Sequence, residues 1–246
     1  MSIRLFTLPG LRCVADDREL TALSGQKLRA ALLLYLAVER ETTRERLVRM
    51  FWPDRTPERA RKALSQMLYE LGALLSQSFV DARGDVLRAL PVLHADAVEF
   101  LDAIKRGDTD TALALYGGEF LDGVQLPDST EFGIWVDGKR ARLGLVHRRA
   151  RAERIAAQRA AGHTAEALAN ALRWAEVEPL EERAHQLVIE LYALSGQPAE
   201  AERHFTAYEQ RLRREGLEPV EDTRALMTRI RTATTEAAPA PAPAPT

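Results

Sequence analysis

The sequence predicts a mainly α protein in two parts. An N-terminal α+β module is laid out as a winged helix-turn-helix, and an all-α array of tetratricopeptide-like helical repeats follows. Three observations carry this. Short apolar runs broken by turn residues fill positions 3–22 and return only at 79–90. Between them lie three helical segments with their own start and stop signals. After His94 the strand signals vanish, and residues recur at an offset of 34, the period of a two-helix repeat.

The elements follow in order. Residues 3–8 are apolar, Pro9-Gly10 turns the chain, residues 11–14 resume the strand character, and Asp16-Asp17 turns it again before Glu19-Leu20. Residues 26–38 are rich in Leu and Ala with no internal Pro or Gly, a helix signature. Thr42 with Glu45 reads as a capping box for a second helix, whose apolar side is Leu47, Val48 and Phe51 and which ends at Trp52-Pro53. The third helix starts at Thr56 as N-cap with Pro57 in the first helical position. Its apolar side is Ala60, Leu64, Met67, Leu68, Leu71 and Leu75, at the helical period. Residues 79–90 read as a hairpin turning at Arg83-Gly84-Asp85. These elements define an expected first domain over 1–93.

An expected repeat domain runs over 94–232. Gly162 matches Gly196, and Ala165-Glu166-Ala167 matches Ala199-Glu200-Ala201. Tyr192 and Phe205 fall at the aromatic positions of such repeats, Pro179 falls where one ends, and Gly107, Ala112 and Tyr116 give a fainter echo. Small residues recur because paired helices must approach closely there. A loop at 117–123 precedes a long helix over about 130–161. The stretch 233–246, an Ala/Pro alternation, is expected to form a disordered tail.

Composition narrows the function. No apolar run reaches the ~18 residues of a membrane span, the first residues lack the pattern of a secretory leader, and the single Cys13 has no internal partner. A cytoplasmic protein without a membrane partner is therefore expected, with Cys13 packed in a strand. Residues 1–93 hold 15 Lys/Arg against 11 Asp/Glu, a net +4, and the rest hold 19 against 25, a net −6. No phosphate-binding loop or zinc-protease motif occurs, and His94, His147, His163, His185 and His204 lack ligand spacing. The expectation is a non-enzyme with no catalytic residue, cofactor or metal.

The polar side of the third helix carries Arg59, Lys62, Gln66 and Tyr69. An α-helix fits the major groove, where each base pair shows a distinct donor and acceptor pattern. These four are the expected base or near-base contacts. Arg44, Arg46, Arg49, Arg55 and Arg61, with Arg83 at the hairpin tip, are the expected phosphate contacts. The rival reading is a protein–protein adaptor whose winged helix no longer binds DNA.

Several stretches then carry a family resemblance: Gly25–Leu33 (GQKLRAALL), Thr43–Leu47 (TRERL), Phe51–Asp54 (FWPD), Ala60–Leu64 (ARKAL), Gly117–Leu121 (GGEFL), Glu131–Val136 (EFGIWV) and Leu212–Ala225 (LRREGLEPVEDTRA). In this order they resemble regulators of the SARP class, which join an OmpR/PhoB-type winged helix to a bacterial transcriptional activator domain. The resemblance implies an activator that binds direct-repeat sites in double-stranded promoter DNA and contacts RNA polymerase or another regulatory protein. It also admits a homodimer on DNA. The sequence departs from the family at Glu70-Leu71-Gly72-Ala73, where the third helix usually ends in basic residues.

Overall fold

The computed structural model describes residues 2–16, 18–23, 25–124, 127 and 129–237. The chain forms two compact units, Met1–Ala150 and Arg151–Thr246.

The first unit opens with β1 (Ile3–Phe6), β2 (Arg12–Ala15) and β3 (Arg18–Glu19), joined as antiparallel neighbours. A later strand, β7 (Leu93–Ala95), pairs in parallel with β1 and completes a four-stranded sheet ordered β3-β2-β1-β7. Alternate residues Ile3, Leu5 and Cys13 turn inward and are buried, as the two-residue period of a strand requires. The helix α1 (Lys27–Glu39) is buried continuously from Ala31 to Ala37. Such an all-round apolar helix belongs at the centre of a core.

The wing is a second sheet ordered β4-β6-β5. It joins β4 (Glu41–Thr43), β5 (Val80–Asp81) and β6 (Val86–Ala89). Thr42 pairs with Leu87 inside this ladder and is buried, so it does not cap the second helix. That role falls to Thr43, whose side chain accepts from the Arg46 amide at 3.2 Å. Strand pairing consumed the residue that the sequence pattern assigned to the cap. The helices α2 (Arg44–Phe51) and α3 (Pro57–Leu74) follow as expected. Ala60, Leu64, Leu68, Leu71 and Leu75 are buried under α3, while Met67 is half-buried.

From Asp96 the chain is helical. The helices α4 (Asp96–Lys105) and α5 (Thr109–Leu115) lead to the 117–123 loop and then to α6 (Thr130–Ala160). Asp96 is buried and ties α4 to the first strand, accepting from the amides of Thr7, Leu8 and Ala97 and from the Thr7 hydroxyl. The loop lies against the β1–β2 turn: Leu121 donates its amide to Thr7 O, and Gly117 donates to Leu8 O. A Cβ on Gly117 would meet Leu8 O at 2.9 Å, which accounts for glycine there. The Arg140 guanidinium donates to the Phe120 and Leu121 carbonyls at 2.9 and 3.0 Å.

The second unit is a row of antiparallel helices, α7 (Thr164–Val177), α8 (Glu182–Leu194), α9 (Pro198–Arg214) and α10 (Glu221–Ala237). The repeat offset has a physical basis in it. Gly162 and Gly196 both adopt positive φ, 83° and 71°, where the preceding helix stops. The amide of the next residue bonds back five positions, His163 to Gln158 and Gln197 to Tyr192, a Schellman-type stop. Ala167 and Ala201 are both fully buried where helices meet. The helix α10 continues to Ala237, so the first residues of the expected Ala/Pro tail are helical, and 238–246 lie outside the described residues.

Candidate nucleic-acid interface

Spacings of three, four and three residues put Arg59, Lys62, Gln66 and Tyr69 on one side of α3. All four are exposed, Tyr69 to 74%. From Arg59 to Tyr69 the helix rises about 15 Å, a length comparable with the ~12 Å width of the major groove. Arg55, Arg59, Lys62 and Gln66 line one shallow groove with Asp54 and Thr56. Among the described residues, no carboxylate pairs with Arg55, Arg59, Arg61 or Lys62. Asp54 shares the groove without pairing with them, so the four cations are left without a direct ion-pair partner.

The remaining expected contacts are placed differently. Gln66 donates its amide to Glu70 at 2.9 Å, and Glu70 also receives the Arg29 guanidinium from α1. The Gln66 bond and then Arg29 hold the Glu70 carboxyl below its ordinary range. The anion that departs from the family pattern is thus engaged within the first unit. Arg44 donates to the wing carbonyls of Ala82 and Gly84 at 2.6 and 2.8 Å, fastening the hairpin to the start of α2. Arg49 lies 3.3 Å from Glu131. Arg83 projects from the wing tip but pairs with Asp81 at 2.8 Å, and that pairing holds the Asp81 carboxyl at about 2. Arg46 is exposed beside the α2 N-terminus.

Sequence reasoning missed one wing cation, Arg88, which alternation along β6 marks as outward-facing. It is exposed and pairs with Glu41 at 2.8 Å. Reasoning from spacing also missed a histidine pair in the second unit. His185 Nδ1 and His204 Nε2 are 2.9 Å apart. Because the Pro179 carbonyl only accepts, His185 Nε2 donates to it, so His204 donates to His185. Burial pushes the Cys13 thiol up to about 11, which leaves it unreactive. No group of three or more His, Cys, Asp or Glu side chains arranged to hold a metal occurs among the described residues. No helix among them is long and apolar enough to cross a membrane.

A winged helix-turn-helix followed by tetratricopeptide-like helical pairs defines a class, the SARP-type transcription regulators. The profile of the bacterial transcriptional activator domain matches residues 96–231, beginning at the first residue of α4. The chain belongs to that family, whose role is regulatory rather than enzymatic. Among solved structures it is similar to Mycobacterium tuberculosis EmbR in complex with a low affinity phosphopeptide. The TM-score is 0.65 and the identity 20%, over 94% of this chain and 65% of that one. The chain therefore spans less than two thirds of EmbR, and the likeness concerns the fold. No curated protein matches the sequence.

Proposed function

We propose that the protein is a transcriptional activator that reads double-stranded promoter DNA through residues 1–93 and contacts RNA polymerase or another regulatory protein through residues 94–232. The helix α3 enters the major groove. Arg59, Lys62, Gln66 and Tyr69 face base edges, and Arg46, Arg55 and Arg61 neutralise phosphates. Arg44, Arg49 and Arg83 reach phosphate only by exchanging an internal partner for it, so their share is smaller. The observation that carries this reading is the solvent-facing Arg59 and Lys62, neither in an ion pair, on a helix whose other side is held in the core.

Support for a protein partner comes from the second unit. Val177 at the end of α7, Leu180 between α7 and α8, and Leu217 and Val220 between α9 and α10 are exposed apolar side chains. The Val220 amide donates to Glu182 at 2.8 Å, which sets these two connections side by side. An apolar patch of this kind suits a protein surface.

Selection of bound duplexes from a random library tests the proposal. One enriched motif, lost in Arg59→Ala/Lys62→Ala, is the expected result. The adaptor reading is favoured by Glu70, an anion at the end of the reading helix, and it predicts no enrichment.

A further inference from the structure

The helix α6 is anchored by one side. Phe132, Trp135, Val136, Leu143 and His147 are buried. Its opposite side carries a second apolar stripe that none of the described residues covers. Ile134 is 67% and Leu145 64% exposed, and Gly138 and Ala141 lie exposed between them. A Cβ on Gly138 would meet nothing within 4 Å. These four residues fall at spacings of four, three and four. That is the alternating rhythm of a coiled-coil seam, and its core positions are filled by Ile, Gly, Ala and Leu.

The stripe is self-complementary when a second copy runs antiparallel across its midpoint. Ile134 then meets Leu145 of the other copy, and Gly138 meets Ala141. Large residues close the two ends, and small residues at the centre let the helix axes approach within the ~8–10 Å of ordinary helix packing or closer. The flanking charge agrees. The N-terminal half of this face carries Glu131 and Asp137, and the C-terminal half carries Arg142 and Arg149, all exposed. Glu131 and Arg149 lie on the same flank of the stripe, since 18 residues make five whole turns. An antiparallel copy therefore sets each Glu131 beside the other's Arg149, whereas a parallel copy sets like charges together. Glu131 would share its carboxylate with Arg49, its present partner at 3.3 Å, and Arg149 would add this contact to the interactions it already makes within the chain.

We infer that this face of α6 is a two-fold dimer contact between copies of the chain, antiparallel and centred between Gly138 and Ala141. The seam is four residues of one helix, short beside the roughly 20–30 residues a side of a stable interface, so the dimer is a weak one whose population depends on protein concentration. None of the four seam residues belongs to the proposed DNA face, and the inference holds whether or not the protein binds DNA.

The test uses the full chain without DNA. Sedimentation across a micromolar concentration series should show a monomer–dimer equilibrium. Leu145→Lys should weaken it about tenfold or more, with the circular dichroism of the folded protein unchanged. Glu131→Arg should weaken it, and Glu131→Arg/Arg149→Glu should restore it. Cysteine trapping fixes the register: Ile134→Cys and Leu145→Cys variants should crosslink when mixed and not singly, with buried Cys13 silent. Self-crosslinking of either variant alone, or a monomer throughout the series, overturns the inference.

Discussion

Replacing Asp96 by Ala removes the acceptor that joins α4 to the first strand. Three amides, those of Thr7, Leu8 and Ala97, and the Thr7 hydroxyl lose their partner at once. Thr7 is fully buried, so water does not replace the carboxylate there without loosening the sheet. A buried donor left unsatisfied costs about 1–3 kcal/mol. Some of the four groups recover solvent as the helix start relaxes, which leaves a net loss of about 3–5 kcal/mol. For a unit of this size that lowers the melting midpoint by roughly 6–20 °C. Asp96→Asn keeps one oxygen but turns an amide donor towards other donors, and should lose about half as much. The assay is urea unfolding by tryptophan fluorescence in a Trp174→Phe background. There the signal comes from Trp52 and Trp135, both in the first unit. A loss below about 1 kcal/mol for Asp96→Ala would refute the assignment of this carboxylate as the tie between sheet and helix.

Other perturbations have equally definite outcomes. Gly118→Ala places a Cβ 2.9 Å from the Pro9 ring and should cost about 1–3 kcal/mol in the same unfolding assay. Arg44→Ala cuts both bonds to the wing carbonyls; hydrogen exchange should show residues 80–89 opening roughly tenfold more often. In the second unit, burial and then the neighbouring His204 push His185 down to about 4 from 6.5. Between those values the unfolded chain binds more protons than the folded one, so stability is full above pH 6.5 and declines as pH falls towards 4. His185→Gln should flatten that decline in thermal melts, and an unchanged profile counts against the cause given.

Much of this architecture is written in local pattern. The start of α3 is legible because Thr56-Pro57 is a helix opening in any context, and its buried side follows from the helical period. The stops at Gly162 and Gly196 are legible for the same reason: a helix ends where the backbone must take positive φ. Strands β4 and β7 are not legible. Each has only three residues, too few for an alternation such as Leu93-His94-Ala95 to mark a strand, and each exists because a distant partner, Leu87 or Ile3, completes its ladder. The exposed polar side of α3 is visible from spacing alone. What spacing does not show is which cations are already engaged. Arg44 meets carbonyls about 40 positions away, and Gln66 meets a Glu70 that Arg29 on another helix holds in place. The histidine pair was hidden likewise, because His185 and His204 meet only when α8 and α9 lie side by side.

The central claim is that the outward side of α3 meets DNA, and its salt dependence tests it most directly. Affinity for the selected duplex should fall linearly with log salt, and each lost phosphate contact should make the slope shallower by about 0.9. Arg59→Ala/Lys62→Ala should bind at least about tenfold more weakly with a shallower slope than the unaltered protein. Superimposable lines for the two proteins would contradict the account.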